Sequence, residues 1–137
     1  METLFQATAT LSRLSEIRQK VENYLRIADT PKLVIDDLVT CLDEAVTNLI
    51  KHGYGTAGGP IQINAEVTSH DVALEILDQT PPFDLTQLCV PDHVPLPLSD
   101  DPAGGFGIAL IHRLSDRLEY EPGVDGWNRL TIRRLLS

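Results

Sequence analysis

Glu44, Asn48 and His52 recur at four-residue spacing, so on a helix they stand one above another on a single face, with Lys51 beside them. A carboxylate and a carboxamide one turn apart can act on one object. Glu44 can accept a proton, and the Asn48 amide oxygen is a hard ligand of the kind Mg2+ takes. By itself the spacing also fits a solvated or capping helix edge, since charged residues prefer exposed surface. Two further features bear on the choice: Asp78 closes an apolar, strand-like run, and Gly104-Gly105-Phe106-Gly107 opens a second periodic stretch.

The elements that must position these groups can be read from the apolar pattern. Val34, Leu38, Cys41, Leu42, Ala45, Leu49 and Ile50 recur at three- and four-residue steps, which predicts a long helix from Pro31 to His52 or Tyr54. Gly53, Gly55, Gly58 and Gly59, with Pro60, stop it. Ahead of it lie a strand over residues 3–10 and a helix over residues 14–28, with Leu14, Ile17, Val21, Tyr24, Leu25 and Ala28 inward. The outward face of that first helix carries Arg13, Arg18, Lys20 and Arg26, a solvated face or a surface for an acidic partner. Residues 61–68 and 72–77 read as a hairpin turning through Ser69-His70-Asp71, and its second strand delivers Asp78.

From Gln79 to Ala103 the chain holds six prolines, so apart from a short turn near residues 85–88 no long element survives there. A loop of that length reads as a lid or binding loop. After the glycines, Ile108, Ala109, Ile111, Leu114 and Leu118 predict a third helix, and residues 117–121 and 127–135 a last hairpin. Hairpins plus three helices imply an α/β two-layer sandwich: a mixed, mostly antiparallel sheet with three helices on one face.

Composition narrows the function classes. At 137 residues, 42% hydrophobic and 23% charged, the chain reads as one globular domain over 1–137. Its apolar runs are too short to cross a bilayer and its start lacks a basic and apolar leader, which places it in the cytoplasm with no membrane partner. A net charge of −9 argues against nucleic acid, which needs a basic footprint. Cys41 and Cys89 have no CxxC or metal-spaced partner and read as idle thiols. No Gly-x-x-x-x-Gly-Lys loop occurs, which excludes a P-loop.

The helix face, the Asp78 turn and the glycine-opened helix together make a nucleotide site. Glycines let backbone N–H groups approach a polyphosphate at a positive helix N-terminus. Mg2+ on Asn48 offsets phosphate charge, and a buried Asp78 carboxylate accepts a hydrogen bond from an exocyclic amino group.

The segment Asp43-Glu44-Ala45-Val46-Thr47-Asn48-Leu49-Ile50-Lys51-His52-Gly53-Tyr54 closely resembles the N box of the GHKL, or Bergerat-fold, ATPases. Its form is typical of the anti-sigma factor serine kinases of bacterial partner-switching systems. Asp78 with Pro82-Phe83-Asp84 looks like that family's G1 box, Gly104 to Ile111 like its G2 box, and Asn128-Arg129-Leu130-Thr131-Ile132 like its final strand. The resemblance implies ATP or ADP with Mg2+ as cofactors, Glu44 as general base and Asn48 as metal ligand. It assigns Asp78 to the adenine and Gly104, Gly105 and Gly107 to the phosphates. Lys51, His52, Phe83, Phe106 and Thr131 complete the expected nucleotide contacts, with Arg18 in the partner surface. The implied activity is phosphorylation of a serine on a STAS-domain anti-sigma factor antagonist. The implied partners are that antagonist, a sigma factor or other regulator, and a second copy of the chain in a homodimer. Two departures stand out: Thr80 where the G1 box usually has glycine, and Ala103 where relatives often carry a basic residue. They keep open an alternative, a nucleotide-dependent binding module without phosphotransfer.

Overall fold

The structure, a computed structural model, describes residues 1–87 and 105–136, with the backbone alone at Gln87, Gly105 and Phe106. The chain runs β1 (Glu2–Ala9), a 3-10 turn (Leu11–Arg13), α1 (Leu14–Ile27), α2 (Lys32–Asn48) and a π-helical turn (Leu49–Tyr54). It continues through β2 (Gly59–Val67), β3 (Asp71–Asp78), a 3-10 turn (Leu85–Gln87), α3 (Gly105–Leu114), β4 (Arg117–Val124) and β5 (Trp127–Leu135).

The five strands form one sheet in the order β1-β2-β3-β5-β4. The two-layer α/β class holds, but every paired neighbour is antiparallel rather than mixed. The reason lies in the connection after β3. It returns through α3 to β4, which runs parallel to β3 but one strand position away, and β5 folds back between the two. The parallel relation exists without parallel hydrogen bonding, as in a split β-α-β unit.

The core lies between the helices and one sheet face. Ile17, Val21 and Leu25 of α1 and Val34, Leu38, Cys41, Leu42 and Ala45 of α2 are buried at helical spacing. They meet Ile61, Ile63, Leu74, Ile76, Leu130 and Ile132, which alternate along their strands. Each fully buried aliphatic side chain contributes about 1.5–3 kcal/mol. The sheet's other face is polar: Thr3 Oγ1 donates to Asn64 Oδ1 at 2.9 Å, and Asn64 Nδ2 donates to Glu75 Oε1 at 2.7 Å. Burial and the nearby Asp37 carboxylate push the Cys41 thiol up to about 12, so it packs as a small apolar group.

Two element ends differ from the apolar pattern. The third helix stops at Leu114, and Leu118 continues the inward pattern from β4 instead. The long helix widens after Asn48 into the π turn, closed by Gly55 N–H donating to Ile50 O at 2.7 Å. Such turns are rare and often sit at functional sites.

Arg134 joins three elements. Its Nη2 lies 2.8 Å from Asp37 Oδ2 on α2, and its Nη1 lies 3.1 Å from Asp116 Oδ2 between α3 and β4. Gly58 shapes the entry to β2: it has φ +70°, and a Cβ there would overlap the Ala9 carbonyl of β1. Gly58→Ala is therefore expected to cost about 1–3 kcal/mol from its left-handed backbone alone, and more from the overlap. Gly126, at φ +84° with open space around it, is the comparison. Urea unfolding should show Gly58→Ala as the clearly weaker of the two, and equal losses would refute the overlap.

Candidate functional site

A cavity of about 440 Å3 opens between the end of α2 and the end of β3. The π turn and α2 supply Asn48, His52 and Gly53 to its wall, β3 supplies Ile76 and Asp78, and the following segment supplies Thr80 to Phe83. Leu85, Ile108, Tyr120 and Leu130 make the remainder mostly apolar. A pocket of this size, apolar with a few convergent polar groups, suits a flat heterocycle with one polar edge.

Asp78 is the last residue of β3 and is 4% exposed. Its Oδ1 accepts from the Thr80 backbone N–H at 2.8 Å, from Thr80 Oγ1 at 2.6 Å and from Asn128 Nδ2 at 3.1 Å. Asn128 stands directly across from it on β5. Gly53 is required where α2's π turn meets this corner, because a Cβ there would overlap the Thr80 methyl.

Two tyrosines brace the walls. Tyr54 Oη donates to Pro60 O at 2.6 Å and accepts from Gln79 N–H at 2.6 Å, tying the π turn to β2 and to the exit from β3. Tyr120 Oη accepts from Phe83 N–H at 3.1 Å, which holds the segment after Asp78 over β4. Burial raises both phenols above their ordinary range, so both stay protonated donors at neutral pH. His112 Nε2 lies 2.9 Å from Leu85 O and anchors α3 to the same segment.

Glu44 lies one turn before Asn48, outside the cavity lining. Its carboxylate rests on the first turn of α3, so that a Cβ on Gly107 would overlap Glu44 Oε2. The N-terminal end of a helix carries partial positive charge and favours an anion there. Arg18 of α1 donates from Nε to both oxygens of Asp43 at 3.0 Å, fixing the residue before Glu44.

The structure thus brings Asn48, His52, Asp78 and Phe83 into one cavity and sets Glu44 and Gly107 against each other. Lys51 is exposed and outside the lining. Thr131 does not reach the cavity: it lies between Leu130 and Ile132, so strand alternation turns it to the polar sheet face, opposite Glu75. Gly104 lies outside the described residues, Gly105 opens α3, and Phe106 is described by its backbone alone. Among the described residues no three His, Cys, Asp or Glu side chains gather as a metal cage. Asn48 lines the cavity and offers one amide oxygen, a hard donor of the kind Mg2+ accepts beside phosphate and water. Asn128, Tyr54 and Tyr120 were missed from the sequence. Asn128 lies inside the strand motif read there, but only the β3–β5 register reveals that it faces Asp78.

The chain matches the histidine kinase-like ATPase domain over residues 7–134. It is 30% identical over 99 residues to an anti-sigma F factor of Thermoanaerobacter sp., covering 71% of this chain and 68% of that protein. It is 33% identical over 86 residues to a serine-protein kinase RsbW of Oceanobacillus iheyensis, covering 60% and 54% respectively. Among solved structures it resembles a chain of the SiaB–SiaC complex of Pseudomonas aeruginosa, with TM-score 0.67, 18% identity, and 97% and 90% coverage. It also resembles the RsbU and RsbW domains of a Mycobacterium tuberculosis protein, with TM-score 0.64 and 20% identity. That match covers 96% of this chain and 31% of the longer one. At these identities the solved structures establish the shared fold. No described helix is long and apolar enough to cross a membrane.

Proposed function

Because this chain belongs to the histidine kinase-like ATPase domain family, we propose that it is an ATP-dependent protein serine kinase of a partner-switching system. Its substrate is a serine on a STAS-domain antagonist, and it sequesters a sigma factor or another regulator. The observation that carries this reading is the convergence of Asn48 and Asp78 on one cavity, with Glu44 seated on the first turn of α3. The curated relatives named anti-sigma F factor and serine-protein kinase RsbW support it.

In this reading the apolar walls take the adenine ring and Asp78 accepts a hydrogen bond from its amino group. The phosphates run toward the N-terminus of α3, where backbone N–H groups and the helix dipole favour anions. Asn48 would hold Mg2+, which supplies charge compensation on the phosphates when bound. Glu44 accepts the proton of the incoming serine as its Oγ bonds to the γ-phosphorus, and the bond from that phosphorus to the bridging oxygen breaks to release ADP. The protein's contribution is positioning and electrostatics. Arg18, which holds Asp43 beside Glu44, belongs to the surface on α1 assigned to the partners, and a second copy of the chain docks in the same region.

The test is to incubate the purified chain with Mg-ATP and a STAS-domain protein and to look for phosphoserine by mass spectrometry. Stoichiometric transfer is expected. The second reading, a nucleotide-dependent binding module, draws on one observation: no Lys or Arg lines the cavity among the described residues. Nucleotide-dependent partner binding without any phosphoserine would establish that reading instead.

A further inference from the structure

We infer that Asn128 and Thr80 are positioning residues that set the base specificity of the cavity, holding Asp78 so that Oδ2 is left as the acceptor for an exocyclic amino group. The inference rests on the nucleotide reading above and adds two residues to it.

A carboxylate oxygen has about two lone-pair sites, and Asp78 Oδ1 already takes three donors, two from Thr80 and one from Asn128. Oδ2 takes part in none of these bonds. The network is stiff at both ends. Asn128 Nδ2 sends its second hydrogen to Thr80 O at 2.7 Å, and Asn128 Oδ1 accepts from Gly123 N–H at 3.3 Å, so the amide has one workable orientation. Thr80 is held by shape as well: its methyl fills the space against Gly53 while its hydroxyl points at Asp78. A β-branched side chain has few rotamers to choose from, and here the π turn selects one.

The chemical consequence is discrimination at a single edge of the ligand. A 6-aminopurine presents a donor to Oδ2. A 6-oxopurine presents an acceptor and is repelled, and a purine bearing only hydrogen at that position leaves the buried oxygen without a partner. Threonine at position 80 is then a functional feature, since a glycine there would supply only one of its two bonds to Asp78.

Calorimetric titration with ATP and with purine riboside triphosphate, which lacks the amino group, separates this role from simple structural support. The wild type is expected to prefer ATP by roughly 30-fold, the scale of one hydrogen bond to a buried charged group. Asn128→Ala and the isosteric Thr80→Val should each bring that preference below about fivefold, while affinity for the purine analogue changes little. Thr80→Val keeps the volume and the Gly53 contact, so it decides the matter if Asn128→Ala fails to fold. Retention of the wild-type preference in a folded variant would overturn the inference and leave the nucleotide site standing. Failure of the wild type to bind either triphosphate would overturn both.

Discussion

Asp78→Asn is expected to lower ATP affinity by at least ~100-fold, measured by isothermal titration in the presence of Mg2+, with the fold intact by circular dichroism. The size follows from the geometry around the side chain. Asn128 Nδ2, Thr80 Oγ1 and the Thr80 backbone N–H are all donors aimed at one oxygen. An asparagine must turn its carbonyl oxygen toward them, because its NH2 group would face three donors. That orientation leaves the NH2 pointing where the carboxylate had offered an acceptor, and donor then meets donor at the adenine amino group. The variant loses an attraction and gains a repulsion, inside a corner where Asp78 is only 4% exposed. Binding within threefold of wild type would remove Asp78 from the site.

Glu44→Gln should separate binding from chemistry. The amide keeps the length and nearly the shape of the carboxylate, so it still rests against Gly107 on the first turn of α3, but it cannot take a proton. Loss of a positioned general base costs about 10²–10⁴-fold in rate. Single-turnover phosphorylation of the STAS-domain partner is expected to slow by that amount, with ATP affinity changed less than about threefold because Glu44 lies outside the cavity lining. A wild-type rate in the variant would take the base assignment away from Glu44. A parallel loss of ATP binding would make the residue a structural support of α3 instead.

Much of this was legible in the chain because the relevant signals are local. The helical stripe of α2, the alternation in β2 and β3 and the glycines before α3 each follow from spacing within a dozen residues. Asn48 and His52 both line the cavity, whereas Glu44, one turn earlier on the same spacing, lies outside it. What escaped depends on distant partners. The pairing of β3 with β5 sets Asn128 against Asp78. The same register turns Thr131 away, although it is only three residues further on. Lys51 illustrates a different limit: it is adjacent to His52 and both are exposed, but only His52 stands at the cavity wall. No short window of sequence announces the widened turn, because its residues also satisfy an ordinary helix.

The insertion of β5 between β3 and β4 bears on the order in which the molecule becomes whole. Asp78 and Asn128 are 50 positions apart, so the corner proposed to hold the base closes only after every helix and four of the five strands have been made. Pairing over such a distance is slow compared with local helix formation. A nascent chain therefore carries the α1 and α2 segments well before it has anywhere to put a nucleotide. Ligand binding, once available, rewards the last strand for arriving and so tightens the sheet as a whole rather than one lobe of it.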